Sequence, residues 1–175
     1  GDGGGIEANA SRLVVKRSTI ADNTSQGDGG GIVSEDPDGS ITVDASTISG
    51  NTAVGGGSSG GGLKLDDAIS SIRNSTIAGN RADVFAGGVF VGDATLRLNA
   101  VTIARNVADP AVFIPGVLGG LAGGGVYTQP GAAISVENSL IALNTGSGEP
   151  NDCEGDVPIA SLGHNLISTT SGGLC

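Results

Sequence analysis

The phrase STIADNT at residues 18–24 returns as STISGNT at 46–52 and as STIAGNR at 75–81, with worn copies around Ile103 and Ile141. Aligned on its isoleucine, the chain sets Ile20, Ile48, Ile77, Ile103 and Ile141 in one column. Asn23, Asn51, Asn80, Asn106 and Asn144 follow three residues later in a second, unbroken one. The steps between these asparagines are 28, 29, 26 and 38 residues. A unit of this length holds two or three brief strands and cannot cover its own apolar face, so it becomes stable only by stacking on its neighbours.

Counting back from the isoleucine gives an alternating pattern. Leu13/Val15, Ile41/Val43, Ser70/Ile72, Leu96/Leu98 and Ile134/Val136 are separated by mostly polar residues. That is the period of a half-buried strand, and only Ser70 interrupts its inner column. Each unit also carries a glycine cluster followed by an aliphatic residue: Gly3-Gly4-Gly5-Ile6, Gly29-Gly30-Gly31-Ile32, Gly60-Gly61-Gly62-Leu63, Gly87-Gly88-Val89 and Gly123-Gly124-Gly125-Val126. Such glycines permit positive φ and close backbone approach at a corner. GDGGGI does not read as a phosphate loop, because no helix and no Gly-Lys-Ser/Thr follow it. The asparagines are expected at tight inward turns, where an Asn tolerates a left-handed conformation and passes an amide bond to the Asn one rung away. These five residues are therefore read as a structural ladder before any binding row.

Composition supports this architecture. With 33 glycines, no Trp or Met, three Phe and one Tyr, the core must be built from small aliphatic side chains in a regular lattice. A net charge of −10 argues against nucleic acid as a partner, since phosphate is repelled. Acidic polysaccharides are repelled too, unless a cation or a local basic patch intervenes. No apolar run is long enough to span a bilayer. The two cysteines, Cys153 and Cys175, stand late in the chain and fit one disulfide of an exported protein, with two free thiols as the alternative.

The glycine clusters paired with the I-x-x-N phrase resemble the right-handed parallel β-helix repeats of bacterial surface proteins. They are similar to the GGAI and FxxN repeats of chlamydial polymorphic membrane proteins, with isoleucine in place of the aromatic residue. The C-terminal stretches NSLIALNTG (138–146), DCEG (152–155) and SLGHNLIS (161–168), with the final Cys175, look like bacterial β-helix proteins that carry a choice-of-anchor region. That resemblance implies an exported bacterial protein at the cell surface or outside it, and a Cys153–Cys175 bridge closing the last coil. It implies no particular activity.

Several groups outside the lattice are candidates for chemistry. The outward column before the phrase reads Lys16, Asp44, Arg73, Asn99 and Glu137. Asp44 beside Arg73 imitates a cation-assisted polysaccharide lyase, but alternating charges on an exposed ladder also set register without any reaction. Asp2 and Asp28 precede glycine clusters, and Asp36 and Asp38 lie in the turn SEDPDGS (34–40). They are the candidate oxygen ligands should Ca²⁺ bind, although their spacing fits neither an EF-hand nor a nonapeptide repeat. No other cofactor is implied. The insertion at 107–122 is apolar, with Val112, Phe113, Ile114, Val117 and Leu118, and is the first candidate interface. Phe90 and Tyr127, with Val33, are expected on an exposed stripe beside the glycines. Thr19, Thr47, Thr76 and Thr102 form one outward threonine column, too narrow for the flat arrays of ice-binding surfaces. His164 stands alone. The sequons at Asn9, Asn23 and Asn74 carry little weight where Asn23 points inward.

The expectation is an all-β, right-handed parallel β-helix of about five coils over residues 1–144, continued by a disulfide-tied C-terminal segment over 145–175. Residues 1–6 enter a coil directly, which fits either a fragment or a subunit that stacks end to end on other copies. The leading function is a non-catalytic stalk or adhesin-like module recognising a host, matrix or glycan ligand. A self-assembling filament and a lyase-like polysaccharide enzyme are the alternatives.

Overall fold

Strands of two to five residues, joined by sharp corners, carry the chain through the same circuit five times and most of a sixth. The structure is a computed structural model and describes residues 2–66, 69–109 and 123–169. The first circuit runs β1 (Ile6–Glu7), β2 (Arg12–Lys16), β3 (Thr19–Ala21) and β4 (Thr24–Ser25). Each strand begins one of four parallel sheets, here A to D, and every later circuit adds a strand to each. No helix occurs among the described residues. The chain is a parallel β-helix.

Register follows the sequence alignment residue for residue. In sheet B, Leu13, Ile41, Ser70, Leu96 and Ile134 pair in one row and Val15, Val43, Ile72, Leu98 and Val136 in the next. In sheet C, Ile20, Ile48, Ile77, Ile103 and Ile141 pair in turn. Together with Ile32, Leu63, Val89 and Val126 of sheet A these side chains form one continuous core. Ser70 is 3% exposed and its hydroxyl has no partner, so the one polar interruption of the row sits unsatisfied among aliphatic neighbours.

Three kinds of corner turn the chain, each with a left-handed residue. Arg17, Ala45, Asn74, Ala100, Asn138 and His164 take it between sheets B and C, and Asp22, Gly50, Gly79, Arg105 and Leu143 between C and D. Gly3, Gly29, Gly60 and Ala86 take it on the return to sheet A. The left-handed residue of the second corner is thus the one before each ladder asparagine and not the asparagine itself. The reason is the division of labour at that corner: the preceding residue makes the bend, which leaves the Asn side chain free to point along the axis.

The asparagines form the expected ladder. Nδ2 of Asn23, Asn51, Asn80 and Asn106 each donates to Oδ1 of the next asparagine at 2.9–3.0 Å. Each of these Oδ1 atoms also accepts the backbone N–H of the previous asparagine. From Asn51 onward, Nδ2 donates in addition to the isoleucine carbonyl one coil back: Ile20, Ile48, Ile77 and Ile103 in turn. Two acceptances and two donations saturate a buried amide. The last glycine of each cluster makes the room. A Cβ on Gly62 would stand 2.6 Å from the Gly88 carbonyl oxygen and 3.1 Å from Asn80 Nδ2, and Gly31 and Gly88 stand equally close to Asn51 and Asn106.

A second ladder runs beside the first. The backbone N–H of Ser18 donates to Ser46 Oγ, that of Ser46 to Ser75 Oγ, and that of Val101 to Ser139 Oγ. Ser139 N–H then donates to Asn165 Oδ1 at 2.9 Å. Asn165 belongs to a sixth copy of the phrase, GHNLI, in which Leu166 and Ile167 pair with Leu140 and Ile141. His164 is the corner residue of that copy. The segment after 145 is therefore a further partial coil through sheets A, B and C, preceded by a short antiparallel strand, Glu149–Pro150, on sheet D.

The column ends on a different residue. Asn144 donates to Asp152 Oδ1 through Nδ2 at 2.8 Å and through its backbone N–H at 3.0 Å. The second oxygen of Asp152 accepts from Ser168 Oγ and from the backbone of Ser168 and Thr169.

Two outcomes test this account by urea denaturation. Asn80→Ala strands the Asn51 donors and the Ile48 carbonyl and is expected to cost roughly 3–5 kcal/mol, the sum of several unmet buried groups. Gly79, at φ +65° with open space where a Cβ would go, loses about 1 kcal/mol as Gly79→Ala, and Leu143→Gly at the same corner gains a similar amount. Equal midpoints for all three variants would remove both arguments.

Candidate functional site

With the core and both ladders structural, function is left to the outer faces. On sheet A the outward row is Val33, Lys64, Phe90, Tyr127 and Glu154. It is not the exposed stripe expected: Val33 is 1%, Phe90 3% and Tyr127 6% exposed. Phe90 stacks on Tyr127 at 5.8 Å, Phe85 lies 4.5 Å from the same ring, and Lys64 Nζ stands 5.9 Å from the Phe90 centroid. Three of the four aromatic residues thus make a small second core outside the coil, because a flat parallel sheet stacks like rings on like rungs. The insertion candidates Val112, Phe113, Ile114, Val117 and Leu118 lie outside the described residues, as does Cys175. Cys153 lies in the core row below Val126 and is not a free thiol.

Lys64 draws three carboxylates together. Its ammonium bonds Asp28 at 2.5 Å and Glu35 at 2.6 Å and stands 3.2 Å from Asp66. Burial disfavours the cation, but hydrogen bonds to Asp28 and Glu35 and the charges of Asp28 and Asp66 outweigh it, so the lysine pKa is raised. Asp66 differs: burial pushes its carboxyl up, and the pull of Lys64 does not reverse this. The shorter pairs to Asp28 and Glu35 are therefore the working ones. Asp28, a candidate calcium ligand, is consumed here, and its Oδ1 also accepts the Ser59 N–H. Asp2 accepts the backbone N–H of Asp28, while Asp36 and Asp38 close a local turn through Asp38 N–H to Asp36 Oδ1. These four aspartates do not converge. Among the described residues no cluster of three or more His, Cys, Asp or Glu side chains is arranged to hold a metal ion.

On sheet B the outward column stands in register as Lys16, Asp44, Arg73, Asn99 and Glu137. Arg73 bonds Asp44 at 3.1 Å, with Asn74 Nδ2 on the other carboxylate oxygen. Hydrogen bonds from Arg73 and then Asn74 hold the Asp44 carboxyl below its usual range. Further along, Asn99 donates to Glu137 and Asn138 donates to Asn99. These are rung-to-rung links. His164 is the left-handed corner residue of the sixth circuit, in the series with Asn74 and Asn138, and the threonine column of sheet C gives way to Leu140 after Thr102.

A concavity of about 470 Å³ opens along this face, lined by Ser71, Arg73, Arg97, Asn99, Glu137 and Leu162 among others. It exists because Arg97 stands between two small residues, Ser71 and Ser135, on adjoining rungs. Sequence reasoning passed over both Arg97 and Lys64. The alternation marked each as outward, but which outward residues share a hollow or a carboxylate cage depends on side chains on the adjoining rungs.

No family model, curated protein or solved structure matches the chain. No helix among the described residues is long and apolar enough to cross a membrane, which says nothing of crossing by strands.

Lys64 sets a pH dependence with a definite sign. Its raised pKa means that its contribution is complete below the ordinary lysine value of 10.5 and is lost only above it. Removing the cation leaves Asp28, Glu35 and Asp66 facing one another, and their mutual repulsion then favours protonation. Lys64→Met is expected to cost about 2 kcal/mol at pH 7, a partly screened version of breaking a buried pair. The gap to wild type should narrow between pH 7 and pH 4.5, as followed by denaturation midpoints. A gap that widens on acidification rejects the cage.

Proposed function

We propose that this chain is a non-catalytic β-helix module of an exported bacterial surface or secreted protein, a rigid adhesin-like rod that presents its outer faces. The observation that carries the reading is the unbroken ladder from Asn23 to Asp152, which fixes every rung relative to the next and so favours a rigid rod. The paired use of Asp44 and Arg73 supports it over a lyase-like enzyme. A self-assembling filament draws less support, because the last donors of the ladder are already taken by Asp152. Export is supported by the resemblance of the C-terminal repeats and by the late cysteines. Cys153, in the core of the last coil, is proposed to bridge to Cys175, and that bridge needs an oxidising compartment to persist.

Three measurements on one preparation test the reading. Intact mass with and without reductant should differ by two hydrogens. Light scattering should show a monomer at high concentration. Neutral and acidic polysaccharides incubated with Ca²⁺ should gain no new chain ends. New chain ends would replace the module with an enzyme, and fibres in electron micrographs would replace it with a filament subunit.

A further inference from the structure

We propose that the concavity on the outer face of sheet B is a binding site for an acidic glycan, a saccharide chain carrying uronate carboxylates. Arg97 is the carboxylate anchor, and Arg73, Asn99 and Glu137 bind the neighbouring hydroxyls. The proposal gives the adhesin-like reading a ligand class, and it stands or falls separately from export.

Arg97 is exposed at the centre of the hollow and has no ion-pair or hydrogen-bond partner among the described residues. Arg12, Arg17 and Arg105 also lack an ion pair among the described residues, and what sets Arg97 apart is its place in the lining of the hollow. Arg73 stands one rung away and two residues along, about 8 Å off by strand geometry, and Asp44 engages it through Nη2 alone. A guanidinium presents a planar fork of donors that matches a carboxylate in two-point contact.

The rest of the lining decides what carries that carboxylate. Ser71 and Ser135 offer hydroxyls, Asn99 an amide and Glu137 an acceptor. This mixture of donors and acceptors suits sugar hydroxyls, which are both. A peptide ligand would want an open sheet edge or an apolar pocket. Here β10 (Ile69–Arg73), β14 (Thr95–Asn99) and β18 (Ala133–Glu137) are each paired on both sides, and Leu162 is the one large exposed apolar group at the rim. The Glu137 carboxylate in the lining opposes a dense anion such as polyphosphate more than a chain with one carboxylate per sugar.

Calorimetric titration of the full chain with a galacturonate oligosaccharide, and with its uncharged methyl ester, tests the site. The acid should bind, and the ester should bind at least about tenfold more weakly, the scale of one charge-assisted contact. Arg97→Gln should lose about tenfold or more, and Arg73→Gln should lose less. Arg81→Gln on sheet D should change nothing. Arg97 is exposed, so an unchanged denaturation midpoint for its variant separates lost binding from lost folding. No binding of the acid, equal binding of acid and ester, or an unaffected Arg97 variant overturns the proposal. Equal affinity for polyglutamate overturns the glycan assignment. New reducing ends during the titration would sink the non-catalytic reading and leave the site in place.

Discussion

A side-chain amide both donates and accepts, so amides can be stacked one above another without leaving a group unmet. The column from Asn23 to Asn144 uses this property inside the coil, where an unpaired polar group would be costly. The glycine ahead of each strand is the complement of that column. Its missing side chain is the space that the amide occupies, as the short distances from Gly31, Gly62 and Gly88 show. Neither column makes sense alone. An alanine in the glycine row would press on the amide, and an aliphatic residue in the Asn row would leave the isoleucine carbonyl of the previous coil without a donor.

With the axis held this way, the aliphatic rows need little shape complementarity. Isoleucine stacks on isoleucine at a common rung height, and the core reaches full burial without large rings. The aromatic residues are then displaced outward. Phe90 and Tyr127 stack on sheet A because parallel pairing places successive outward residues face to face, and Phe85, ahead of that strand, packs on Tyr127. Burial there raises the Tyr127 pKa, with the charges of Asp156 and Glu154 adding to the rise.

Most of the fold was legible in the sequence because the period fixes it. Ile20 to Ile141 and Asn23 to Asn144 needed only alignment, and the strand pairings follow that alignment without a slip. What escaped was set by something other than period. The sixth copy, GHNLI, hides because Asn165 takes a serine's place in the second ladder. Asp152 hides because it fills an asparagine's place from a different point in the chain. The burial of Val33, Phe90 and Tyr127 was missed because alternation gives the direction of a side chain and not what lies over it. The candidate site was the least legible part: Asp44 and Arg73 were found, but Arg97 matters only once Ser71 and Ser135 flank it.

The choice of aspartate at position 152 has an electrostatic logic. Each ladder amide points its Nδ2–H toward the following coil, so the amide dipoles add head to tail along the axis. Their positive pole falls at the end of the stack, as the positive pole of a helix falls at its N-terminus. A carboxylate there meets accumulated positive potential, where a neutral amide would meet it with a half-matched dipole. Position 152 is thus a counter-charge set against the last amide of the stack, and it would serve a longer stack as well as a short one, because the positive pole is felt only near the end.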